Sequence, residues 1–154
     1  MKKILFVCVH NSGRSQIAEA IFNSLIGNKA LALSAGTKPA ERVNPVVVEA
    51  MREIDLDISK NSPKLLTLEM LEDSDLVITM GCNVREACPA SFVQAEDWEL
   101  DDPTGKSIEQ VRQIRDQVDI KVRELVKHAA RIERPLLIRV LLEKVIGYFR
   151  RLKD

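Results

Sequence analysis

The stretch Cys8-Val9-His10-Asn11-Ser12-Gly13-Arg14-Ser15 constrains the fold more than any other part of the chain. The apolar run before it, Ile4-Leu5-Phe6-Val7, reads as a short buried strand. The run after it, Gln16-Ile17-Ala18-Glu19-Ala20-Ile21-Phe22, reads as the first turns of a helix. A cysteine therefore ends a strand, a loop containing glycine follows, and an arginine opens a helix. Each part suits an oxyanion. Successive N–H groups from Val9, His10, Asn11, Ser12, Gly13 and Arg14 can point inward as an anion nest. The helix N-terminus adds unsatisfied N–H groups and partial positive charge. Arg14 adds a planar charged fork that matches two oxygens of a tetrahedral anion. Gly13 permits a turn that a residue with a Cβ resists. Cys8 lies in this positive field, which favours a nucleophilic thiolate. Ser12 and Ser15 place hydroxyls where they can donate to that thiolate or to a leaving group. Cys-x5-Arg alone is a common spacing, and the plain alternative is a buried structural cysteine beside a surface arginine. The strand–loop–helix context makes the pattern specific.

The rest of the chain alternates strands and helices. Helix 1 is expected to end near Gly27-Asn28, a plausible C-cap. Leu31 to Gly36 reads as a second strand, Val43 to Ile54 as a helix with Pro45 near its start, and Leu66 to Leu71 as a short helix. Asp75 to Met80 is apolar enough to be a central parallel strand, and Phe92 to Ala95 is a short fourth strand. Ser107 to Ile132 reads as a long amphipathic helix with Ser107 or Thr104 as its cap. The expected fold class is α/β, a doubly wound parallel sheet of about four strands flanked by helices. Ligands in such folds bind beyond the carboxyl ends of the strands, where both Cys8 and Cys82 would lie.

Composition narrows the function classes. A chain of 154 residues suggests one domain with a sizeable core. The formal net charge is zero, so nothing points to nucleic acid. Met1-Lys2-Lys3 runs straight into a strand, and no apolar stretch reaches the length of a signal peptide or a transmembrane helix. Three cysteines do not make a disulfide framework, so a cytoplasmic location is expected, where cysteines are more often catalytic, redox-active or metal-binding. No Cys-x2–4-Cys pair or histidine stands at zinc-ligand spacing.

Val7-Cys8-Val9-His10-Asn11-Ser12-Gly13-Arg14-Ser15-Gln16 resembles the phosphate-loop signature of arsenate reductases built on the low-molecular-weight tyrosine phosphatase fold. The resemblance continues at Thr79-Met80-Gly81-Cys82 and at Asp97-Trp98-Glu99-Leu100-Asp101-Asp102-Pro103, and covers residues 1–133. It implies arsenate as substrate and no cofactor. It also implies that Asp102, in an Asp-Pro loop over the site, protonates the departing oxygen, with Asp101 as the neighbouring alternative. A bare turn is the other reading of Asp101-Asp102-Pro103. Reduction of arsenate needs two electrons, which thiols supply by forming a disulfide. The resemblance assigns Cys82 to attack Cys8 and Cys88 to attack Cys82, with thioredoxin or a similar thiol-disulfide protein as partner. Small buried residues are the alternative for Cys82 and Cys88. Residues six apart in a helix stand about 10 Å apart at Cα, beyond the roughly 7 Å a disulfide spans, so that segment must be looped or must unwind on oxidation. Gln16 stands where the phosphatases typically carry proline, and Thr104-Gly105 where they typically carry tyrosines.

Some relatives bind potassium beside this loop. Asn11, Glu19 and Ser34 match those positions, but Asn61-Ser62-Pro63 stands where a later acidic ligand belongs, so no metal is expected. His10 is read as a tolerated loop position that could tune Cys8, and His128 as a surface residue. Residues 134–154 form an extension, with Ile138, Leu141, Leu142, Val145, Phe149 and Leu152 on one helical face. That face fits packing on the same domain or a homodimer contact. Acidic Glu143 and the modest charge weigh against a membrane surface. Two other functions stay open: a low-molecular-weight phosphatase acting on phosphotyrosine or a small ester, and a noncatalytic oxyanion-binding redox switch.

Overall fold

The computed structural model describes residues 1–81 and 95–129. Strands β1 (Lys2–Cys8), β2 (Ala30–Gly36), β3 (Leu76–Thr79) and β4 (Ala95–Asp97) form one parallel sheet in the order β2-β1-β3-β4. The helices are α1 (Arg14–Ile26), α2 (Pro45–Arg52), α3 (Leu68–Glu72) and α4 (Ile108–His128). This is the doubly wound α/β fold that the alternating pattern predicts.

Side chains of β1 alternate between two cores because strand residues point to opposite faces. Ile4, Phe6 and Cys8 join α1, α2 and α4 in the larger core. Leu5 and Val7 join Ala35, Val77 and Leu71 of α3 in the smaller one. Phe6 packs edge-on against Phe22 at 6.1 Å and tilted against Trp98 at 5.7 Å, so the strand leading to Cys8 is anchored by aromatic contacts. Burying a side chain of this size contributes ~2 kcal/mol.

The element boundaries differ from the sequence reading at three places. The fourth strand is Ala95–Asp97 rather than 92–95, with 92–94 outside the described residues. Helix α2 spans Pro45–Arg52, starting where Asn44 caps it through Val46 N–H and stopping short of Ile54 because Asp55 takes φ 62. Leu65 bridges to Gly36, so α3 starts only at Leu68, with Thr67 accepting from Met70 N–H. For α4 the cap is Ser107, in a capping box with Gln110. Among the described residues no helix is long and apolar enough to cross a membrane. The expected C-terminal helix of residues 135–152 lies outside the described residues.

Candidate active site

The chain leaves β1 toward β2 on one side, then returns to β3 on the other. The carboxyl end of β1 is therefore the switch point of the sheet, the position where such folds leave a crevice. The loop from Cys8 to Gly13 fills it. Its carbonyls are tied outward one after another. Thr37, Lys38, Ala40 and Asn44 N–H donate to the carbonyls of Cys8, Val9, His10 and Ser12 at 3.2, 2.8, 2.9 and 2.9 Å. Gln16 Nε2 donates to Asn11 O at 3.2 Å, and Ile17 N–H to Gly13 O at 2.9 Å. With the carbonyls committed to the surrounding protein, the loop N–H groups are left to form the inner wall.

Asn11 makes the turn with φ 48, a left-handed conformation that asparagine tolerates better than most residues. Its fully buried side chain is held on three sides. Oδ1 accepts from Lys64 N–H at 2.8 Å and from Gln16 Nε2 at 3.2 Å, while Nδ2 donates to Ser15 Oγ at 2.8 Å. Asn61 Nδ2 in turn donates to Gln16 Oε1 at 3.1 Å. Gly36, at the end of β2, packs so closely that a Cβ there would meet Val9 O at 2.6 Å.

Cys8 is 2% exposed. Asn11 N–H donates to its Sγ at 3.2 Å, and Ser15 Oγ lies 2.9 Å from it. A thiolate has no proton to give, so in that form Ser15 is the donor and Sγ receives two hydrogen bonds. Ser12 is held through its carbonyl instead. His10 Nδ1–H donates to Lys38 O at 3.2 Å.

Arg14 is 5% exposed and opens α1. Its Nη1 donates to Leu100 O at 3.0 Å and its Nη2 lies 3.5 Å from Asp102 Oδ2. Asp102 is half-buried whereas Asp101 is exposed, which separates the two candidates for the acid. Gly13 lies against Pro103 with no room for a Cβ, so the Asp-Pro turn closes directly on the loop. Burial pushes the Asp102 carboxyl up. Hydrogen bonds from Thr104 N–H and Oγ1, with the charges of Arg14 and His10, outweigh that effect and hold it below the ordinary aspartate range. The site therefore does not supply the raised pKa that an acid role calls for; a bound anion facing Arg14 would have to supply it.

The loop 95–100 carries Leu100 to the site. Trp98 N–H donates to Thr79 O at 2.7 Å, Thr79 Oγ1 to Asp97 Oδ1 at 2.6 Å, and Trp98 Nε1 to Glu96 Oε1 at 2.9 Å. Lys121 Nζ sits 5.6 Å over the Trp98 ring. At the positions matching a cation site, Ser34 Oγ donates to Glu19, and the Lys64 ammonium lies 3.4 Å from Glu19 Oε2. Among the described residues no group of acidic, histidine and cysteine side chains could hold a metal ion. The structure thus brings together Cys8, Arg14, Ser15, Asp102 and the loop amides; Cys82 and Cys88 lie outside the described residues. Gln16, Asn61, Lys64 and the Leu100 carbonyl complete the support. Nothing in sequence spacing marks them, apart from the polar character of Gln16 inside an apolar helix start.

A family model described as low molecular weight phosphotyrosine protein phosphatase matches residues 3–135. Arsenate reductase 2 of Staphylococcus saprophyticus is 38% identical over 125 residues, covering 80% of this chain and 95% of that protein. The thioredoxin-dependent arsenate reductase of Corynebacterium glutamicum superposes with a TM-score of 0.71 at 39% identity, over 82% of this chain and 61% of that one. The arginine phosphatase YwlE of Geobacillus stearothermophilus superposes with a TM-score of 0.77 at 22% identity, over 84% of this chain and 94% of that one, a likeness of fold. By sequence match and by architecture together, the chain belongs to the low molecular weight phosphotyrosine protein phosphatase family.

Proposed function

We propose that this protein reduces arsenate to arsenite, with Cys8 as nucleophile and a thiol relay as the source of electrons. The observation that carries the reading is the Cys8 thiol at the floor of an amide cradle flanked by Arg14, in a chain whose relatives include arsenate reductases. Arsenate is a tetrahedral oxyanion that fits the loop N–H groups and the Arg14 fork. Cys8 thiolate attacks the arsenic, forming a sulfur–arsenic bond, and one oxygen leaves as water after taking a proton from Asp102. Cys82 then attacks Cys8 sulfur. The pair of electrons in the sulfur–arsenic bond stays on arsenic, arsenite departs, and Cys8–Cys82 forms. Cys88 attacks Cys82, freeing Cys8 and leaving Cys82–Cys88 for thioredoxin or a similar dithiol protein to reduce.

The test is arsenite production from arsenate with a thioredoxin system, in wild type, Cys82→Ser and Cys88→Ser. The relay requires multiple turnover by wild type and arrest of each variant at or before a trapped disulfide. Failure of Cys82→Ser alone assigns Cys88 a structural role. The phosphatase reading has the family's own fold behind it. Absence of arsenite alongside hydrolysis of an aryl phosphate, whatever stands at position 82, replaces the reductase by a phosphatase. Absence of both leaves a noncatalytic oxyanion switch.

Asp102 gives a separate prediction. In the free protein its carboxyl is ionised at neutral pH, and it gains a proton-donor role only once a bound anion offsets Arg14. Asp102→Asn lowers kcat about 100-fold while leaving phosphate affinity within a few-fold, and removes one limb of the pH profile of kcat. An unchanged kcat and profile assign the proton to another donor. The lowered pKa also sets a sign for stability: the Thr104 and Arg14 contacts stabilise the fold above the ordinary aspartate range, and that contribution fades as pH falls through the lowered value.

A further inference from the structure

We propose that Gly81 is a positioning residue for oxyanion recognition, because the space left by its missing side chain is the seat of the Arg14 guanidinium. The inference rests on reading the Cys8 loop as an oxyanion site. A Cβ at Gly81 would lie 2.8 Å from Arg14 Nη1 and 3.9 Å from Leu100 O. Those are the two partners of one hydrogen bond, Nη1 donating to Leu100 O at 3.0 Å. Gly81 and the Leu100 carbonyl therefore form the two sides of one socket. Held there by Nη1, the fork has its remaining N–H groups for an anion.

Two consequences separate this role from ordinary packing. The atom that must give way to a new Cβ is the tip of a side chain and not backbone. The fold can absorb the change, and the cost falls on where the guanidinium points. By contrast, the same change at Gly36 would meet backbone, Val9 O and Asn11 N, and would disturb the loop itself. The second consequence concerns the backbone. Gly81 has φ 70, so any side chain also adds conformational strain. Gly27 has φ 62 and nothing within 4 Å of its would-be Cβ, so Gly27→Ala places a side chain at positive φ without the collision. Asparagine tolerates positive φ better than alanine but carries the same Cβ.

The experiment measures the Kd of inorganic phosphate by calorimetry, and the melting temperature, for wild type, Gly81→Ala, Gly81→Asn and Gly27→Ala. The expected result is a phosphate Kd raised about tenfold or more in both Gly81 variants and unchanged in Gly27→Ala, corresponding to displacement of a charge-assisted contact. The KM for arsenate rises in parallel. If Gly81→Ala does not fold, Gly81→Asn carries the comparison. Wild-type affinity in Gly81→Asn overturns the inference, since the cost was then backbone strain alone. Wild-type protein that itself fails to bind phosphate overturns the oxyanion-site reading, and this inference with it.

Discussion

Cys8→Ser abolishes arsenate turnover, by about 10⁴-fold or more, while phosphate still binds within a few-fold of wild type. Serine is close to cysteine in size, and its oxygen can occupy the place where Asn11 N–H and Ser15 Oγ meet Sγ. The cradle is built by backbone groups whose carbonyls are tied by Gln16, Ile17, Thr37, Lys38, Ala40 and Asn44, and a change of side chain at position 8 removes none of those bonds. Binding therefore survives. Chemistry does not, because a serine hydroxyl is almost wholly protonated at neutral pH, and an oxygen ester of arsenate offers no sulfur for a second thiol to attack. The checks are arsenite formation and phosphate calorimetry on the same preparation. Measurable turnover by the variant would remove Cys8 from the nucleophile's position.

Arg14→Lys raises the phosphate Kd about 100-fold, equivalent to about 3 kcal/mol, and lowers kcat further. Lysine keeps the charge and loses the fork. In the structure the guanidinium works in two directions at once: Nη1 is spent on Leu100 O, and Nη2 lies on the side of Asp102. A single ammonium cannot hold the Leu100 carbonyl and present two parallel donors to an anion. Arg14 is also buried, so its replacement leaves a poorly filled space and a carbonyl in want of a donor. A melting temperature on the same variant separates lost binding from lost fold. A phosphate Kd equal to wild type would mean that charge alone serves and the fork has no role.

Much of this is legible in the sequence. The run Ile4 to Val7, the polar loop and the apolar stripe of α1 are local signals, and they place Cys8 at the end of β1 and Arg14 at the start of α1 as found. The start of α4 is equally local: Ser107 or Thr104 is the expected cap, and Ser107, in a capping box with Gln110, is the one found. The short edge strand was harder. Ala95–Asp97 is three residues long and exposed, so it carries no apolar alternation to read. The support of the site was not legible at all. Lys64 N–H reaches Asn11 across 53 positions, and Leu100 O reaches Arg14 across 86. Backbone donors and acceptors have no residue type, so no motif records them. Asp102 was legible as a candidate but its low carboxyl pKa was not, because Thr104 and Arg14 act through geometry rather than order in the chain.

The chain holds a single tryptophan, and it stands two residues from the carbonyl that Arg14 grips. Trp98 is 3% exposed, wedged against Phe6 beneath Lys121, and tied through Nε1 to Glu96. A shift of Arg14 on engaging an anion would act on the Leu100 carbonyl it holds, two residues from the indole, and a change in emission on adding phosphate is the expected sign of it. The protein thus contains its own fluorophore for the site. Its emission can follow occupancy of the loop in stopped flow without a label, and without any turnover to observe.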